Sequence, residues 1–108
     1  MGSITTFKVL DKNLMVLKSL VVNANKVFTT SATDNSRYIY YLSEPFLITY
    51  DKLNNTLVSS DLGTGTNNLI GLEYINATTL LAQKLSGGSP TSEIISLNMI
   101  NPTTVTVS

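Results

Sequence analysis

Residues 47–60, LITYDKLNNTLVSS, read as an apolar run, a knot of turn-forming residues and a second β-branched run. Asp51 stands at the entrance to the knot, with Asn54 and Asn55 behind it. Asp and Asn tolerate the left-handed backbone region and bond back to nearby amides, so the pattern spells a β-hairpin. Similar shapes occur at both ends of the chain, ITTFKVLDKNLMVLKSLVV over 4–22 and EIISLNMINPTTVTVS over 93–108. Aligning Asp11, Asp51 and Asn98 gives separations of 40 and 47 residues.

Between these hairpins lie further β-branched and aromatic runs bounded by Asn, Asp, Gly, Ser and Pro. Ten strands are expected, near 5–10, 15–22, 27–33, 37–42, 46–50, 57–61, 69–74, 79–84, 93–98 and 103–108. The segment 12–25 also carries Leu14, Leu17 and Leu20 at helix-like spacing. Its Val-Val end and paired Asn residues favour a strand running into a loop. The whole reads as an all-β chain of antiparallel four-strand units with a period of 40 to 47 residues, the spacing of propeller blades. Two and a half units fit: a half blade over 4–22, then blades over 27–61 and 69–108. The alternative is a compact β-sandwich.

The run YIYYLSEPFLITYDKLNNTLVSSDLG, followed by LIGLEYINATTLLAQKL and EIISLNMINPTTVTVS, resembles β-propeller repeats of the bacterial surface-protein type. The resemblance is one of period and pattern. The Gly-His and Trp-Asp signatures of WD repeats and the double glycines of kelch repeats are absent. It implies a repeat scaffold whose loops meet a partner, or a piece of a propeller hydrolase or lyase whose catalytic residues lie in other blades. Propellers close with at least about four blades. The chain is therefore expected to self-associate or to belong to a longer parent with the missing blades. The opening Met1-Gly2-Ser3 reads as a cloning remnant, which also suggests a piece of something larger.

Composition narrows the chemistry. The 108 residues are enough for one domain with a sizeable core. An apolar share of 43% with 13% charged residues argues against disorder. Seven basic and seven acidic residues cancel, leaving no electrostatic footprint for nucleic acid or anionic lipid. No stretch reads as a signal peptide or approaches the roughly 18 apolar residues of a membrane helix. With no Cys and no His, Ser–His and Cys–His pairs and the zinc, iron–sulfur and haem sites built from those residues are excluded within this chain. No cofactor is expected. Ser, Thr and Asn make up about a third of the residues, a balance that leans toward an extracytoplasmic setting.

The candidate groups are few. Asp11 and Asp51 are read as Asx residues of hairpin turns, with Asn98 as their counterpart in the third copy; replacing Asp by Asn is easy for a turn and costly for a metal site. Asp61, Gly63, Gly65, Asn67 and Asn68 form the richest loop, where Gly amides and side-chain oxygens would face a ligand. Its spacing matches neither an EF-hand nor a P-loop. Gly87 and Gly88 lie in a second long loop, expected on the same face. Tyr38 and Tyr40 should share one side of their strand and Tyr41 the other, packing between blades. Glu73 is the one carboxylate placed on a strand that would line a central channel, with a strand-edge salt bridge as its plainer role. Asn54-Asn55-Thr56 and Asn76-Ala77-Thr78 fit the glycosylation sequon.

Overall fold

The computed structural model describes residues 3–24, 30–43, 45–63, 69–85, 92–101 and 103–107. All ten expected strands are present: β1 (Ser3–Leu10), β2 (Val16–Ala24), β3 (Thr30–Thr33), β4 (Tyr38–Ser43), β5 (Phe46–Asp51), β6 (Thr56–Asp61), β7 (Leu69–Asn76), β8 (Thr79–Leu85), β9 (Ser92–Asn101) and β10 (Thr104–Val107). No helix occurs among the described residues, and 16–24 is strand. The β-branched Val16, Val21 and Val22 suit a pleated surface and outweigh the leucine spacing there.

The strands form three antiparallel sheets, each a meander. β1 and β2 make a two-stranded ribbon, β3 to β6 a middle sheet in chain order, and β7 to β10 a third sheet in chain order. The sheets stack in three layers. Tyr40, Leu42 and Leu47 of the middle sheet meet Leu69, Leu80, Ala82, Leu97, Met99 and Val105 of the third. On the opposite face, Ile48, with Tyr41, Phe46 and Leu57 beside it, packs on Val22, Phe7 and Leu20 of the ribbon.

This two-sided burial explains β5. Leu47 and Ile48 are neighbours in sequence, point to opposite faces, and are both 0% exposed. A strand covered on both faces reads as a continuous apolar run instead of alternating, as residues 46–50 do. The expected alternation of the tyrosines is present. Tyr38 and Tyr40 face the third sheet, and Tyr40 lies nearly parallel to Tyr74 at 6.2 Å between centroids. Tyr41 faces the ribbon, its ring 4.7 Å from Phe7.

Among the described residues, four single-residue bulges break the ladders. Leu17 has no partner between the pairs Leu10–Val16 and Val9–Lys18. Ile70 and Ile75 are skipped in β7, and Ile100 in β9. All four are large apolar side chains left substantially exposed. A bulge re-aims its residue out of the pleat, which accounts for apolar residues on the surface that alternation alone would bury.

Thr49 sits in β5 opposite Tyr40 and Val58, wholly buried on the face that meets the third sheet. Its hydroxyl has no hydrogen-bond partner among the described residues. A buried hydroxyl left unpaired costs on the order of 1–3 kcal/mol. Thr49→Val keeps the branched shape and removes that cost. It should raise stability by about 1 kcal/mol, a rise of roughly 4–8 °C in Tm for a domain of this size. Thermal unfolding by circular dichroism checks it, and an unchanged or lower Tm would show that the hydroxyl is satisfied.

Candidate functional site

A meander places successive connections alternately at two ends of each sheet. One end collects the turns 11–15, 34–37, 52–55 and 77–78 with Asn101 and Thr103, and the other holds the last residues of β6 and β8 and the first of β7 and β9.

At the first end each turn begins with an Asx residue whose side-chain oxygen accepts backbone amides. Asp11 Oδ1 takes the amides of Asn13 at 2.8 Å and Met15 at 3.0 Å. Asp34 Oδ1 takes those of Ser36, Arg37 and Tyr38 at 2.8, 2.9 and 3.0 Å. Asn76 Oδ1 takes the amide and hydroxyl of Thr78, and Asn101 Oδ1 those of Thr103. Asn35 and Asn55 adopt the left-handed backbone that their residue type suits, while Leu14 does so at φ 65 without that chemistry.

Asp51 is the most engaged of these groups. Arg37 grips it with two parallel bonds, Nε to Oδ1 at 2.8 Å and Nη2 to Oδ2 at 2.7 Å. Oδ1 also accepts the amides of Leu53 at 3.0 Å and Asn54 at 3.3 Å. The Arg37 guanidinium bonds and these amides hold the carboxyl down to about 2, against its ordinary 3.8. The Lys52 amide donates to the Arg37 carbonyl at 2.9 Å, so the two turns of the middle sheet are tied by backbone as well. Arg37 lies 5.1 Å from the Tyr38 ring centroid, and the Tyr50 hydroxyl donates to Asn55 Oδ1 at 2.8 Å. The Asn55 side-chain amide then donates to the Leu17 carbonyl at 2.8 Å, reaching into the ribbon. Both carboxylate oxygens of Asp51 are engaged within the fold, Oδ1 by Arg37 and two backbone amides and Oδ2 by Arg37, so the residue shapes a turn.

The third hairpin needs a correction. Asn98 does not begin the turn; it lies inside β9, opposite Thr79 and Thr106. It matches Asp51 in register against the preceding strand, since Asp51 stands opposite Tyr38 as Asn98 does opposite Thr79. The turn residue is Asn101, 50 residues after Asp51. β9 runs on past the equivalent point, and the bulge at Ile100 absorbs part of the extra length.

Of the expected ligand loop, Gly65, Asn67 and Asn68 lie outside the described residues, as do Gly87 and Gly88. Asp61 is exposed, and its Oδ1 accepts the Gly63 amide at 2.8 Å. That bond steers the chain into Gly63, whose φ of +90 is a conformation that side chains rarely adopt. At the same end the Leu62 amide donates to the Pro45 carbonyl at 2.8 Å. Glu73 is exposed on the outer face of the third sheet, opposite Leu81. With Gly71, Gln83 and Ile94 it borders a shallow groove. It takes part in no ion pair among the described residues; the one pair found there joins Arg37 to Asp51. No group of three or more acidic side chains that could hold a metal occurs among the described residues. Sequence reasoning passed over Arg37, although its place three residues after the Asx turn opener Asp34 could have marked it as the partner of a facing carboxylate.

Comparison with protein-family models, with curated proteins and with solved structures finds no match to this chain.

The Asp51 carboxyl is held below its unfolded value, so the stability it contributes is present above pH 3.8 and lost as the pH falls through about 2. The native chain should therefore lose stability across that window. Asp51→Asn should be less stable at neutral pH and show a flatter profile between those two values. Denaturant midpoints measured from pH 5 down to pH 2 test this, and parallel profiles for the two proteins would contradict it.

Proposed function

We propose that the chain is a non-catalytic repeat scaffold of the β-propeller type, its sheets acting as blades and its longer connections holding a protein or glycan partner. One observation carries this reading: the layers stack front to back, with strands of equal rank on one another. β3 and β7, the first strands of their sheets, pack together; β6, a last strand, touches the last strands β2 and β10. The side-chain positions repeat as well. Phe7 faces the middle sheet, and Leu47, at the matching place four residues before its turn Asp, faces the third. Ile94 occupies the same register position in β9 and stands 63% exposed on an open face. A two-layer sandwich turns its apolar faces toward each other and leaves none over. A repeat stack leaves one at each end.

The turn end of the molecule spends its polar groups on its own backbone. That leaves the opposite end, with the connections after β6 and β8, as the side available to a partner. Loops carried on a rigid sheet scaffold are the usual place for such contacts.

Two open faces, one bearing Ile94 and Ile100 and the other Ile4 and Val21, should drive concentration-dependent self-association. Sedimentation velocity should detect it, and Ile94→Arg should weaken it. In parallel, glycan-array binding by the full chain should be lost in an Asn67→Ala, Asn68→Ala variant and kept in Leu53→Ala, at the other end. A chain that is monomeric at every concentration and binds no glycan or protein partner through these loops would overturn the reading.

A further inference from the structure

The ribbon holds the third and fourth places of a unit whose first two places have no strand among the described residues. β5 and β9, which hold the same rank as β1, each have a strand on both sides. Among the described residues β1 pairs with β2 alone. Its other edge therefore runs eight residues, Ser3–Leu10, with alternate backbone groups free to pair. Exposed edges are commonly blunted by Pro, by inward charges or by a bulge. β1 contains no Pro, and its single charged residue, Lys8, points away from the middle sheet. The one irregularity lies at its far end, at Val9 and Leu10.

The face beside that edge is also unfinished. The ribbon covers Ile48, Phe46 and Leu57 of the middle sheet and reaches as far as Tyr41, which touches Phe7. Beyond Tyr41 the same face continues over β3 and β4 as an open groove lined by Ser31, Thr33, Asn35, Ile39 and Lys52. The third sheet shows what such a region looks like when covered: over β7 and β8, the residues Leu69, Tyr74, Leu80 and Ala82 lie beneath Tyr38, Tyr40 and Leu42 of β4. A strand hydrogen-bonded to β1 would lie over the groove, continuing the ribbon's existing interface with the middle sheet.

We propose that the free edge of β1 and the groove on β3 and β4 form one acceptor site for an antiparallel β-hairpin. Two strands are needed, because the groove spans two strands and the complete sheets have four. The first would pair its backbone with β1, as in strand addition, where main-chain bonds supply affinity and alternate side chains supply specificity. Its groove-facing side chains would be aromatic or aliphatic to meet Ile39 and Tyr41, with room for hydroxyls over Ser31 and Thr33. The segment 30–43, which presents Tyr38, Tyr40 and Leu42 from one face, has that pattern. This site is separate from the loop end proposed above, and a failure of partner binding there leaves it standing.

An isolated hairpin is marginally stable in water, so the probe is joined to the chain, where its effective concentration is high. A second copy of residues 30–45 is placed directly before Ser3 of the full chain. Hydrogen exchange followed by NMR should show alternate amides of β1 slowed by roughly tenfold or more, with a higher Tm. A scrambled 30–45 segment should give neither effect. Ile39→Arg, in the groove, should abolish the gain in the fused protein while leaving the parent chain folded. Unchanged β1 exchange in the fusion, equal protection by the scrambled segment, or a gain that survives Ile39→Arg would each overturn the assignment. So would a parent chain whose β1 edge is already protected in a concentration-dependent way, since a second copy would then hold that edge.

Discussion

The fold depends on the middle sheet having apolar cover on both faces. Leu47 and Ile48 cannot both leave water unless something lies on each side, and the ribbon and the third sheet are those two covers. Each buried residue of that size is worth about 1.5–3 kcal/mol relative to exposure. A two-stranded ribbon alone is marginal at best, and an open sheet leaves its apolar face in water, so the layers hold one another in place. The polar knot around Asp51 lies at the end of this stack. It fixes the register of the middle sheet's two turns, and through Asn55 and Leu17 it ties the middle sheet to the ribbon.

Much of this was legible in the chain because the signals were local. Turn residues announced most of the hairpins, and runs of β-branched and aromatic residues announced every strand. The role of Asp51 as a turn former followed from its neighbours Asn54 and Asn55. What escaped depended on pairing across strands. Nothing in the sequence distinguishes Ile70, Ile75 or Ile100 from core residues, because a bulge is a property of two strands together. The choice of Asn98 as the counterpart of Asp11 and Asp51 fails for the same cause: the extra length of β9 becomes visible only once its pairing with β8 and β10 is known. Arg37 was missed for a related reason, since its partner lies 14 residues away across the sheet.

The candidate site was the least legible part. Asp61 and Gly63 were singled out as ligand groups, and the structure shows them bonded to each other in a turn. Composition identified residues able to bind, but an Asx oxygen that bonds a ligand and one that bonds a nearby amide have the same spelling. The open edge of β1 was beyond sequence reasoning altogether. An edge exists only relative to the strands that other units possess, and the comparison needs the three sheets side by side.

Among the described residues, every hydrogen-bonded strand pair joins neighbours along the chain. That arrangement has a kinetic meaning. No pairing has to wait for a distant segment to diffuse back, so the loop-closure entropy of each step is small. Barrels and Greek-key sandwiches, by contrast, must close long loops before their sheets gain anything, and they fold slowly for that reason. This chain can grow its sheets one hairpin at a time, starting from any of the three, with layer-on-layer docking as the later and more demanding event.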